Sequence, residues 1–423
     1  MGSYEVAGIK INSVSLKEIF FKDRVLYIAY GFLLLAFIGI VDVFLERYFL
    51  VSATAFDAGL HPASREVAQA MKEAVFGNGG EVHREAPWSL YIVNYMYMIY
   101  VGSGIIFIVA VAELFDIAQI KKTAVGFLTF GLAMIVAGLF TIMMDLNVFH
   151  LHWMFLSPRY NSGMWLMLPL YLVYIPIILF EIYLLLSEHK ELAKKMALPI
   201  LVLSLAVELL EFYVQAKLFD MNSARHLWTT YPLLMLYFMV SAFVASASVM
   251  ILYMFLIYRN TDRRKCSDLM ELIKKITLYS VILLGVYEAT AYLFIDKKWA
   301  SIILFGDFKY YFYSYLILAV AIPFSLLFKQ ITGSTAKVLA SLSIIVGTYL
   351  GRMIFVYGGN AYPMSNRFGV GFEKYSEYEP IKEVVFFMPS WGEIAIVVGS
   401  IGIVIFIYRV VDRFFSVSVM REH

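Results

Sequence analysis

Charge is scarce in this sequence of 423 residues. Asp, Glu, Lys and Arg make up 16% of it, against about 25% in soluble globular domains. Cysteine is nearly absent. Cys266 stands alone, which excludes an intramolecular disulfide and any iron–sulfur cluster or structural zinc built on this chain's own thiolates. No excess of one sign exists either: 34 Lys and Arg oppose 32 Asp and Glu, so a basic footprint for nucleic acid is missing. Walker A, GxSxG and HExxH motifs do not occur. Disorder is excluded as well, because 61% of the residues are hydrophobic and 17% aromatic.

What remains is a chain made for lipid. Its mean hydropathy is +0.76, and ten runs approach or exceed the ~20 apolar residues that cross hydrocarbon as a helix. They cover 25–45, 90–112, 124–144, 163–185, 197–216, 230–257, 276–294, 311–328, 338–356 and 391–408. None alternates as barrel strands do. The expected fold is an all-α polytopic membrane protein with ten transmembrane helices. Residues 1–24 are polar and mixed in charge, with no signal peptide, so the first run reads as a retained signal anchor. An even number of spans puts both termini on one side. Twenty Lys and Arg fall on that side and thirteen on the other, with Arg352 inside the ninth span. Positive charge favours the cytoplasm, which places both termini there and the loops 46–89 and 357–390 outside. The first of these loops contains a helical pattern at 62–76.

Ionisable groups at membrane depth are costly and mark function by default. Span five carries Glu208, Glu211 and Gln215, spaced so that all three share one helical face. Glu181 lies near the inner end of span four and Glu288 in span seven. Such acids suit a proton path, with interhelical hydrogen bonding as the plain alternative. Glu113 and Asp116, at the inner end of span two, read as a solvated helix end.

A second concentration of polar groups occupies the outer ends of spans two to six. Asn94 and Tyr97 are about one turn apart on span two. Asp145 closes span three, and His150, His152, Asn161 and Trp165 follow before span four; His226 lies in the loop after span five. Trp and Tyr alone would be an interfacial belt, but Asp, His and Asn beside them can hydrogen-bond a carbonyl or hydroxyl and exchange its protons. None of the seven histidines lies within an expected span, which argues against a haem held between facing helices. His150 and His152 are too few for a metal site. Gly102 and Gly104 read as close helix packing rather than a nucleotide loop.

The stretches 95–116, 145–171 and 224–247 resemble the NrfD/PsrC family, the quinol-interacting membrane subunits of polysulfide reductase and related respiratory complexes. Ser157-Pro158 and Ser162-Gly163-Met164-Trp165 follow the family's S-P-x-S-x-G-x-W pattern with one residue inserted. Asp145 opens the element that reads D-x-G-R-P in the family, and here the Gly-Arg-Pro part is replaced. The ten spans are similar to the branch containing HybB and DsrP/HmeB. The resemblance implies two four-helix bundles, 90–216 and 217–356, flanked by the helices 25–45 and 391–408, the latter leading into the tail that ends at 423. It also implies a haem-free subunit that binds menaquinone or menaquinol, without haem or iron–sulfur cluster of its own. Its partners would be a ferredoxin-like iron–sulfur subunit on the extracytoplasmic side and further membrane and catalytic subunits.

Combined, these readings make Asp145, His150 and Glu211 candidates for proton exchange with the quinol. Asn94, Tyr97, His152, Asn161, Trp165 and His226 are candidates for holding its ring, and Glu208, Glu181 and Glu288 for the proton path. Two rivals stay open. A proton-coupled secondary transporter would use the same buried acids, and a structural anchor would have no quinone site of its own.

Overall fold

The computed structural model describes residues 3–44, 90–145, 153–158, 160, 162–221, 226–231, 233–258, 263–294, 303–329, 333–361 and 389–420. The expected loop 46–89 and most of 357–390 lie outside them, as do His150, His152 and Asn161. Long helices dominate: α1 (Arg24–Phe44), α2 (Leu90–Leu114), α3 (Ala124–Asp145), α4 (Gly163–Leu186), α5 (Lys190–Asp220), α6 (Leu234–Ile257), α7 (Arg263–Phe294), α8 (Lys309–Leu327), α9 (Ser334–Ala361) and α10 (Trp391–Phe415). Among the described residues, nine of them are long and apolar enough to cross a membrane. The difference from the expected ten is α7. Its second half is the apolar run 276–294, and its first half, 263–275, carries seven charged residues and continues the helix before that run. Helix α5 likewise starts seven residues before the apolar run, because Lys190, Glu191, Leu192 and Ala193 are good helix formers even where hydropathy is low.

Helix α2 is the central post. It touches α3, α5, α6, α9 and α10, and it is buried along nearly its whole length. Lipid tails are as apolar as Leu, so packing in a membrane relies on close backbone approach at small residues. Gly102 of α2 meets Gly131 of α3: a Cβ added to Gly102 would stand 2.6 Å from the Gly131 carbonyl oxygen. The first and last helices pair with each other, and a Cβ on Gly39 would stand 2.7 Å from the carbonyl of Gly392. Helix α8 contains a π-helical turn, Ile317–Ala321, just before Pro323. A proline has no N–H for the ladder, and the wider turn leaves carbonyls to be satisfied from outside. Ser343 of α9 donates to the Leu318 carbonyl at 2.7 Å.

The N-terminal tail is structured, which its mixed composition concealed. Strands β1 (Ser3–Val6) and β2 (Ile9–Asn12) form an antiparallel hairpin. Its two-residue loop, Ala7-Gly8, has both φ angles positive, the geometry that matches strand twist. Tyr183 donates to the Ala7 carbonyl at 3.2 Å, and the Glu188 N–H donates to the Gly8 carbonyl at 2.8 Å. Asn12 reaches the other way, donating to Ser416 Oγ at 2.8 Å and the Arg413 carbonyl at 3.1 Å. The hairpin therefore ties the α4–α5 connection to the end of α10.

Beneath it, Asp23 is 3% exposed and accepts from Arg409 Nε at 2.8 Å and Arg413 Nε at 2.6 Å. Burial pushes this carboxyl up. The hydrogen bonds from Arg413, Val25 N–H and Arg409, with the charge of Arg409, outweigh that and hold it below the usual range. A carboxyl depressed by folding stabilises above its unfolded value near 4, and that stability is lost as pH falls through the folded value. Asp23→Asn should cost on the order of 3 kcal/mol at neutral pH, the cost of breaking a buried pair. Thermal unfolding in detergent should show the gap to wild type closing as pH drops below about 4; a gap independent of pH would refute the assignment.

Candidate functional site

At the end of the bundle away from the hairpin, α2, α3, α4 and α5 enclose a cavity of ≈ 260 Å³. Its walls are apolar, from residues such as Met96, Leu139, Ile142, Met167 and Phe219. On the α4 side the lining residues Leu172 and Met164 are also exposed on the outer face, at 61% and 41%, so the cavity opens toward lipid. Among the described lining residues, three carry polar side-chain groups: Tyr95 of α2, Asp145 at the end of α3 and Tyr171 of α4.

Two of these lead inward. Gln215 donates to the Tyr95 hydroxyl at 2.8 Å and to the Tyr171 hydroxyl at 3.3 Å, while Tyr100 donates to Gln215 Oε1 at 3.3 Å. Tyr171 donates to Glu211 Oε1 at 2.9 Å, and Ser103 donates to Glu211 Oε2 at 2.7 Å. One helical turn further, Tyr174 donates to Glu208 Oε1 at 2.6 Å. Glu208, Glu211 and Gln215 are each fully buried. The spacing that puts them on one face thus points that face at α2 and α4. Glu208 interacts electrostatically with Glu211 on one side and Glu181 on the other, and Glu181 with Glu113. Among the described residues, Glu208 Oε2, both oxygens of Glu181 and Glu113 Oε1 are buried and accept no hydrogen bond. A row of carboxyls therefore runs from the cavity toward the hairpin end. At that end Asp116 is exposed, and the hydrogen bond from Lys121, at 2.6 Å, holds its carboxyl below the usual range.

The other candidate residues are distributed differently. Asn94 faces α10, donating to Ser400 Oγ at 3.1 Å. Tyr97 faces α9, donating to the Ile345 carbonyl at 3.1 Å. Neither lines the cavity. Trp165 receives the cap of α4, its N–H donating to Ser162 Oγ at 3.4 Å, and its ring stands edge-on to Tyr160. His226 begins the short helix His226–Thr230. Glu288 lies in a separate cluster, accepting from Tyr315 at 2.7 Å and Tyr231 at 3.4 Å. Sequence reasoning passed over Tyr95, Tyr100, Ser103, Tyr171 and Tyr174. The available signal was spacing: Tyr171 and Tyr174 are three residues apart on α4, as Glu208 and Glu211 are on α5. Among the described residues, no group of three or more His, Cys, Asp or Glu could hold a metal ion.

A profile of the polysulphide reductase NrfD family matches residues 80–363, more than half of the chain. The chain belongs to the NrfD family. The matched region runs from α2 to α9 and leaves out α1 and α10, the pair that pack on each other. NrfD proteins are membrane subunits generally found in quinone-linked redox complexes, paired with iron–sulfur and catalytic subunits. A search of curated proteins returns no match.

In this NrfD chain Glu211 depends on few donors. Ser103→Ala should therefore lower stability by about 1.5–3 kcal/mol, the worth of a hydrogen bond to a charged or buried carboxyl. Thr290→Ala, at an exposed hydroxyl that bonds only its own helix, should stay within about 0.5 kcal/mol. Thermal unfolding of both variants in one detergent checks the contrast; equal losses would show that the Ser103–Glu211 bond contributes nothing.

Proposed function

We propose that this protein is a haem-free, quinone-reactive subunit of a respiratory redox complex, and that the cavity bounded by Tyr95, Asp145 and Tyr171 holds the ring of menaquinol or a similar quinol. The observation that carries this reading is the cavity's composition: apolar walls open to lipid, with three polar groups, two of them phenols hydrogen-bonded into the network around Glu211. Ligand sites combine a largely apolar lining with a few placed polar groups. An opening toward lipid suits a molecule dissolved in the bilayer, and two phenols with one carboxyl suit a head with two ring oxygens.

A bound quinol supplies two electrons and two protons, the electrons going to an iron–sulfur partner. The chain's own groups do the rest. Tyr95 and Tyr171, held in place by Gln215, orient the ring. Asp145 holds a proton at its carboxylate on the cavity wall. Tyr171 connects the cavity to Glu211, and Glu208 and Glu181 extend the proton path toward the hairpin end. His150, His152 and Asn161, outside the described residues, stay candidates by their sequence position between Asp145 and Trp165. With the chain divided into bundles 90–216 and 217–356, as the resemblance implies, the site belongs to the first.

The charge count puts the hairpin end and both termini in the cytoplasm. The cavity then lies at the extracytoplasmic face of the cytoplasmic membrane, beside the ferredoxin-like partner and the other membrane and catalytic subunits.

Purification from native membranes in mild detergent tests the whole reading, with mass-spectrometric identification of co-purifying chains and extraction of bound quinone. An iron–sulfur subunit in fixed ratio and bound quinone are expected. A lone protein with neither would overturn the proposal in favour of a transporter. Within the assembled complex, Asp145→Asn should slow quinol oxidation by about 10²-fold, as loss of a positioned acid–base group does. Wild-type turnover in that variant would remove Asp145 from the mechanism.

A further inference from the structure

The described residues contain a second buried polar cluster, joined to the cavity network through Tyr100, at the meeting of α6, α7, α8 and α9. Its centre is Arg352 of α9, 2% exposed. Nη2 donates to Ser241 Oγ and to the Phe238 carbonyl, the latter at 3.3 Å. The guanidinium lies 4.6 Å from the ring centre of Tyr100, 4.7 Å from Phe238 and 5.0 Å from Tyr237. Nη1 is buried and has no hydrogen-bond partner among the described residues.

A guanidinium does not lose its proton in a protein. A charge buried this deeply needs a counter-charge, and π-faces with two neutral acceptors are a partial substitute. Glu288 of α7 adjoins this cage: Tyr237, whose ring centre lies 5.0 Å from the guanidinium, lines one small cavity with Glu288. It is 3% exposed and takes hydrogen bonds from Tyr315 and Tyr231, yet it makes no direct ion pair with the arginine. Beside it is a small cavity of ≈ 10 Å³, lined by Glu288, Tyr231, Tyr237, Tyr292 and Tyr315 and by Gly351, the neighbour of Arg352. That is about the space one water requires, and the polar partners a water needs are present.

We propose that Glu288 is the counter-ion of Arg352, and that one internal water, bound by the Glu288 carboxylate and the surrounding tyrosine hydroxyls, completes a second ionic site in the membrane interior. The site ties α7, α8 and α9 to the central post through Tyr100. It goes beyond the quinone reading and stands or falls without it.

A double-mutant cycle tests the pairing in the purified full-length protein. Arg352→Gln and Glu288→Gln should each lower the thermal midpoint, because each leaves one buried charge uncompensated. The double variant should lie well above the sum of the two losses. Additive losses would overturn the pairing. Should the single arginine variant fail to fold, Arg352→Lys keeps the charge, and infrared spectroscopy of glutamate-labelled protein reads the Glu288 band directly. Loss of a carboxylate stretch on Glu288→Gln supports the proposal, and loss of a protonated-carboxyl stretch overturns it. A high-resolution cryo-EM map should contain a solvent peak within hydrogen-bond reach of Glu288 and Tyr315; an empty cavity there would refute the water.

Discussion

The Glu211 carboxyl holds three helices to one another. Ser103 of α2 and Tyr171 of α4 both donate to it, and it has no exposure to any solvent that could replace them. In hydrocarbon a polar group must find its partner inside the protein, so the positions of these helices around α5 follow from the bonding needs of a single side chain. Gln215 repeats the arrangement one turn away with Tyr95, Tyr100 and Tyr171. The cavity lies next to this network. Its polar edge is therefore built from groups already fixed by the fold.

The rest of the bundle serves the same constraint by other means. Close contact at Gly102 and Gly39 supplies packing where the hydrophobic effect between helices is weak. The hairpin and the Asp23–Arg409–Arg413 cluster close the opposite end, where charge is used freely because water is near. The two ends differ accordingly: one is stapled by ions and backbone pairing, the other presents an apolar opening with three polar groups.

The shared face of span five was legible from spacing, and the different orientations of the α2 residues have a clear cause. The face shared by Glu208, Glu211 and Gln215 follows from helical periodicity, and the structure buries that face. Asn94 and Tyr97 also sit at the right level of α2, yet they point to α10 and α9, while their neighbour Tyr95 reaches the cavity. A helix enclosed on all sides has polar residues on several faces, each serving a different neighbour, so periodicity within α2 could not tell which face meets the cavity. The aromatic residues of α4 were invisible for a related reason. Tyr171 and Tyr174 look like ordinary membrane aromatics until the partner helix supplies a carboxylate.

By itself the sequence determined the all-α membrane architecture and most helix boundaries to within a few residues, since these follow from local composition and the fixed rise of a helix. The family, too, was legible, in short motifs around spans two to four and six. Only the tertiary structure decided which helices adjoin, that α7 runs well beyond its apolar half, that the N-terminal tail folds as a hairpin, and that Arg352 sits among the rings of Tyr100, Tyr237 and Phe238. The physical reason is range. Helix formation and apolar length are set by neighbours a few residues away, whereas a hydrogen bond such as Ser103 to Glu211 joins residues 108 positions apart, and no local pattern records the rotation of one helix against another.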